Sequence, residues 1–179
     1  MQATRTSRRV GFWVLMVAMS LSLFGCAAAP KLSPDELAVR TTIERYNTLL
    51  IQGHKSLDMN PMQEVATKLQ AEDEYIYMSS LAEGGVRLDA QLKDQQFLRV
   101  SVESTSAQAE TLETWDYRHY ARDSGKLVRE QKDLVYRLAW DLERQSDGRW
   151  LVSDVRAIDT TAGPPSFEDT SAASPMGKK

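Results

Sequence analysis

At Gly84-Gly85 the hydrophobic pattern of this chain changes period, and that change decides what the chain can fold into. Before it, apolar residues recur at helical spacing. Ser33-Pro34-Asp35-Glu36 opens a helix, with Ser as N-cap, Pro at the first helical position and Glu placed to close a capping box. Val39, Ile43, Tyr46 and Leu50 then form one stripe, with Gly53 as its stop. Asn60-Pro61-Met62-Gln63 repeats the capping logic. Met62, Val65, Ala66, Leu69 and Ile76 predict a second buried stripe that ends at the glycine pair.

After the glycines the period is two. Val86, Leu88, Ala90 and Leu92 alternate with polar residues, and Leu98, Val100 and Val102 predict a further strand. From Ala107 to Tyr120 the odd positions share a face: Ala107, Ala109, Thr111, Glu113, Trp115, Tyr117 and His119. Asp123 to Lys126 is a turn. Leu134, Tyr136, Leu138, Trp140 and Leu142 give the cleanest strand, and Ser146-Asp147-Gly148 turns it into Arg149 to Val155. Helices first and antiparallel strands after them predict an α+β domain over residues 33–159. Residues 160–179, Pro-, Ser- and Gly-containing with Phe167 as the single aromatic, lack periodicity and read as a disordered tail.

The start of the chain has a different character. Val10 to Phe24 is an uncharged, mostly apolar run of 15 residues behind Arg5, Arg8 and Arg9. That is short for a membrane span, which needs about 17 residues or more, and well sized for a secretory signal. Leu23-Phe24-Gly25-Cys26 resembles the lipobox of bacterial lipoproteins, with Phe24 in place of the usual small residue. The resemblance implies a signal peptide over 1–25, a diacylglycerol on the Cys26 thiol and a short tether over 26–32. Two or three acyl chains would hold a soluble domain on a lipid bilayer where one is marginal. By the sorting rule of Gram-negative lipoproteins, Ala27 implies the outer membrane, facing the periplasm. Ser7-Arg8-Arg9-Val10-Gly11-Phe12 also resembles a twin-arginine export motif, with Phe one place late.

Composition narrows the remaining classes. The formal net charge is −3, and removing the three arginines of the signal takes it to −6. With no basic cluster, nucleic acid is not expected as a partner. One Cys excludes an intrachain disulfide framework. His54 and His119 carry no metal-ligand spacing, so neither a metal nor a cofactor is expected. Glu72-Asp73-Glu74 reads as a solvated helical face.

The element order, with Tyr46 inside the first helix and Asp147-Gly148-Arg149-Trp150 opening the last strand, resembles the nuclear-transport-factor-like superfamily. The stretch Ala107 to Tyr117, followed by Tyr136-Arg137-Leu138, is similar to the intermembrane-space domain of chloroplast-division proteins, a branch of that superfamily. The resemblance implies helices packed on a curved antiparallel sheet to make a cone, and often a homodimer through the outer sheet face. Its members include binders, assembly domains and enzymes, so the fold does not choose the function.

Two functions remain. A tethered, non-catalytic binding or assembly module would hold an apolar ligand or an envelope protein partner through Trp115, Tyr117, Tyr136 and Trp140, although core packing competes for Trp140. The alternative is an envelope enzyme of isomerase or dehydratase type, with Glu113, Tyr117, His119 and Tyr46 as proton-transfer candidates in the cone. The anchor is testable first. Cys26→Ala, or globomycin treatment, is expected to leave an unprocessed, unlipidated form; processing unchanged by both would remove the lipoprotein reading.

Overall fold

The computed structural model describes residues 31–160. The expected signal peptide, Cys26 and nearly all of the expected tail lie outside the described residues. Helix α1 spans Pro34–Ser56, a 3-10 turn follows over Asn60–Glu64, and α2 spans Lys68–Glu83. Four strands complete the domain: β1 Val86–Val102, β2 Ser106–Ala121, β3 Leu127–Arg144 and β4 Trp150–Thr160. They form an antiparallel meander in the order β1-β2-β3-β4, with the two helices packed on it. The observed class is the α+β arrangement that the change of period predicts.

The first helix begins as its sequence directs. Ser33 Oγ accepts from the Glu36 amide at 3.1 Å, and Glu36 Oε2 accepts from the Ser33 amide at 2.7 Å. Val39, Ile43, Tyr46 and Leu49 are buried against Ala107 and Ala109 of β2, Trp140 and Leu142 of β3 and Val152 of β4. A second cluster at the other end of the sheet joins Leu81 to Leu88, Ala90, Trp115, Leu134 and Tyr136.

The second helix departs from the expected stripe. It does not start at Asn60, because the segment after the 3-10 turn is drawn onto β4. Ala66 bridges Val152 in parallel, with the Thr67 amide donating to the Val152 carbonyl and the Val152 amide to the Val65 carbonyl, each at 2.8 Å. Thr67 then caps α2, its hydroxyl accepting from the Gln70 amide. In this register Leu69 and Ile76 are 68 % and 60 % exposed. The inward face carries Gln70, Ala71, Met78 and Leu81, with Glu74 and Tyr77 partly buried among them.

The two short strands expected over 86–102 are one strand bent by two bulges. Register shifts fall at Lys93 and Leu98. Each extra residue flips the parity of the inward face. Val86, Leu88, Ala90 and Leu92 therefore give way to Gln95 and Phe97, then to Val100 and Val102, while Leu98 is exposed. A shift at the same level of β3 places Asp133 at φ 54°, its amide donating to Asp116 Oδ1 at 2.8 Å. Lys93 closes this knot by pairing with Asp133 and, at 3.9 Å, with Asp116.

The two helical stripes make a contrast that stability measurements can read. Ile43 is fully buried, so Ile43→Ala is expected to cost about 2–5 kcal/mol in urea unfolding. Ile76→Ala, on the exposed face, is expected to stay within about 0.5 kcal/mol of the parent. Equal losses would mean that α2 is buried through its Leu69-Ile76 face instead.

Candidate functional site

The two core clusters do not merge. Between them lies a cavity of about 250 Å³, walled by residues of both helices and all four strands. One helical face of α1 supplies Tyr46, Leu50 and His54 at four-residue spacing, with Asn47 beside them. Glu74 and Tyr77 reach it from α2. Trp115, Tyr117 and His119 line it because they alternate on the inner face of β2, and Tyr136, Leu138 and Trp140 do the same on β3. Ala157 of β4 lines the cavity and is exposed, which marks the rim.

Most of the rings meet edge to face. Tyr46 and Trp140 lie 5.4 Å apart at 85°, His54 and Tyr77 5.4 Å apart at 89°, and Tyr117 and Tyr136 6.4 Å apart at 73°. Trp115 and Tyr117 are parallel, with centroids 5.8 Å apart.

The residues singled out in the sequence separate into two groups. Tyr46, Trp115, Tyr117, His119, Tyr136 and Trp140 all line this one cavity. Glu113 does not. Its carboxylate is fully buried behind the wall, where Oε1 accepts from Asn47 Nδ2 at 3.1 Å, Gln95 Nε2 at 2.8 Å and the Thr111 hydroxyl at 2.9 Å. Oε2 accepts from Trp115 Nε1 at 2.8 Å. Burial pushes its pKa up, and the four donors pull against that push. A carboxylate enclosed in this way is a structural tie.

The carboxyl group that does reach the cavity is Glu74, from the run read as a solvated face. Glu72 and Asp73 are exposed, but Glu74 turns inward. The Tyr46 hydroxyl donates to its Oε1 at 2.5 Å, and Gln70 Nε2 donates to the same oxygen at 3.2 Å and to the Tyr46 hydroxyl at 2.8 Å. Burial raises the Glu74 pKa, with the two hydrogen bonds opposing it. Sequence reasoning also missed Tyr77 and the place of His54 here. The available signal was the spacing of Gln70, Glu74 and Tyr77, which puts three polar-tipped side chains on one helical face.

Several groups on this wall are held uncharged. Burial lowers His54 to about 4, helped by the field of His119. His119 is lowered by burial and then by Arg129, its partner across the β2–β3 ladder. Burial and the Glu74 carboxylate raise the Tyr46 and Tyr77 phenols, and burial raises Tyr136. Three buried polar atoms of the wall have no hydrogen-bond partner in the protein: His54 Nδ1, His119 Nδ1 and Tyr136 Oη. Among the described residues no group of three or more His, Cys, Asp or Glu is placed to hold a metal ion.

His54 makes the cavity's electrostatics measurable. Its folded pKa lies below the ordinary 6.5, so its contribution to stability is complete above that pH and is lost as pH falls toward about 4. At about 1.4 kcal/mol per pH unit the loss approaches about 3 kcal/mol as an upper limit. His119 acts in the same direction. His54→Leu is expected to flatten the fall in urea midpoint over this range, leaving the His119 part. An unchanged slope would show that His54 is not held neutral.

No protein-family model matches the sequence, and no curated protein matches it. Solved structures do. The intermembrane-space region of the chloroplast protein ARC6 superposes with a TM-score of 0.58 at 11 % identity, over 72 % of this chain and 98 % of that one. A nuclear transport factor 2-like superfamily protein of Salmonella enterica serovar Typhimurium follows at 0.49 and 13 % identity, over 74 % and 95 % of the two chains. A ketosteroid isomerase-like protein of Erwinia carotovora atroseptica gives 0.48 at 11 % identity, over 72 % and 99 %. At such identities the likeness speaks for the fold alone: the chain has an α+β fold, two helices on a four-stranded antiparallel sheet, similar in structure to the ARC6 intermembrane-space region.

Proposed function

We propose that this protein is a lipid-anchored envelope module that binds a small ligand with an apolar body and a polar end in its cavity without transforming it. The observation that carries the reading is the coexistence of aromatic walls with three unpartnered buried polar atoms. Each such atom costs about 1–3 kcal/mol when left unsatisfied, so a wall that keeps three of them is poised for a ligand with a polar end. The anchor of this proposal is Cys26, whose acyl chains would keep the domain at the outer membrane on its periplasmic side. Among the described residues no helix is long and apolar enough to cross a membrane.

A binding role is favoured over proton transfer because the carboxylate expected to act as base is fully engaged. Glu113 is surrounded by four donors and is absent from the cavity wall. A general base must lie within hydrogen-bond reach of the proton it removes.

The reading is tested with water-soluble fragments built on one benzene ring, titrated into the full-length chain in micelles of an uncharged detergent and followed by calorimetry. Binding in the micromolar to millimolar range is expected for some of them, at about −8 to −4 kcal/mol. Ala157→Trp, which adds a ring at the rim, is expected to abolish it. If no fragment binds, or if Ala157→Trp changes nothing, the cavity is not a ligand site.

A further inference from the structure

We infer that the ligand is a small organic cation, an amine or quaternary ammonium head on an apolar body, held among ring faces beside Glu74. This rests on the preceding reading that the cavity is a binding site, and it names the chemistry that site selects.

Charge is the first argument. Glu74 is the one acidic residue on the cavity wall, and no Lys or Arg is among the described residues that line it. Arg129 faces His119 across the ladder but is exposed and off the wall. An anionic ligand would have to shed its water beside a carboxylate and would meet no counter-charge on the wall itself, only the field that Arg129 extends to His119 and Tyr77 from outside it. A neutral ligand would leave that carboxylate further desolvated and uncompensated. A cation avoids both costs. Both protein hydrogen bonds to Glu74 arrive at Oε1, so Oε2 stands outside them for the incoming charge.

The wall supplies the second argument. Tyr46, Tyr77, Trp115, Tyr117, Tyr136 and Trp140 surround the cavity, and the edge-to-face pairs set ring planes nearly at right angles. Rings at right angles offer π-faces as well as edges to the space between them. A cation over such faces is attracted by the ring quadrupole, most strongly once desolvated. The protein already uses the same attraction elsewhere, where the half-buried Arg40 lies 4.6 Å from the Phe97 ring centre and Arg87 5.1 Å from that of Tyr120.

The third argument is the pair of histidines. Neutral rings do not repel a cation, and an unpartnered Nδ1 can accept from an ammonium N–H. His54 is 3 % exposed with Nδ1 unpartnered, and His119 offers the same atom from β2. Size agrees as well. A cavity of about 150 Å³ accommodates benzene, so about 250 Å³ admits one ring with a compact head group.

Three probes that share one ring and differ in charge decide the matter: benzyltrimethylammonium, benzyl alcohol and benzoate, titrated by calorimetry into the full-length chain in uncharged micelles. The cation is expected to bind at least about tenfold tighter than the alcohol, with benzoate weakest. Glu74→Gln, which can still accept from Tyr46, is expected to erase most of that preference, so that the cation and benzyl alcohol bind this variant with affinities within a few-fold of each other. Alcohol or benzoate binding as tightly as the cation would overturn the cation inference and leave the cavity a ligand site. An undiminished cation preference in Glu74→Gln would overturn it too. Binding of none of the three would remove both readings. If Glu74→Gln fails to fold, the ranking of the three probes on the parent protein is decisive by itself.

Discussion

The buried Glu113 carboxylate ties the domain together. Through its two oxygens it joins Asn47 of α1, Gln95 of β1, and Thr111 and Trp115 of β2. Thr111 extends the network to β3 by accepting from Trp140 Nε1 at 2.9 Å. A carboxylate this deep is costly to desolvate, and losing a partner leaves a buried polar group exposed to that cost. The network is therefore specific: α1 must sit where Asn47 reaches Glu113, and the two indoles must turn their N–H groups toward this centre. Trp115 and Trp140 thereby present the rest of their rings to the cavity, whose walls are fixed by a group that does not line it.

The same constraint explains why a cavity persists in a domain that could have closed its core. The cluster around Ile43 and Trp140 is anchored at one end of the sheet, and the cluster around Leu88 and Trp115 at the other. The inward face of α2 lies over this region with Gln70, Glu74 and Tyr77, none of which substitutes for an aliphatic plug. Aliphatic residues that could have filled the gap sit on the outer face of α2, as Leu69 and Ile76. Apolar packing has been forgone here, since an open volume leaves the side chains that line it short of neighbours.

That inversion of α2 is also why part of the molecule was hidden in its sequence. The capping box at Ser33, the α1 stripe, the odd face of β2 and the even face of β3 were legible because local propensity, periodicity and burial agree there. They bring six of the seven expected pocket and proton-transfer residues to one cavity. In α2 the signals conflict. Leu69 and Ile76 face outward, Gln70, Glu74 and Tyr77 turn inward beside Ala71, Met78 and Leu81, and the start is set by a bridge between Ala66 and Val152 that is remote in sequence. The bulges at Lys93 and Leu98 were hidden for a related reason. A parity change in a strand looks like the end of one strand and the start of another unless the pairing partner is known. Glu113 was found as a candidate, but its four donors come from three elements, and local spacing does not reveal their convergence.

The two inward carboxyl groups show how environment assigns roles to one functional group. Burial raises the pKa of both. Glu113 is enclosed by donors on both oxygens, so its charge is already answered by the protein and a ligand could add nothing to it. Glu74 is engaged at one oxygen, from Tyr46 and Gln70, and opens onto the cavity with the other outside those bonds. A charge answered within the fold supplies rigidity, and one answered in part is what the proposed ligand would meet. The sequence places the first in a strand of alternating aromatics, where it resembles a catalytic base, and the second in Glu72-Asp73-Glu74, where it resembles surface. Their chemistry follows from how many donors reach each oxygen, and it reverses both impressions.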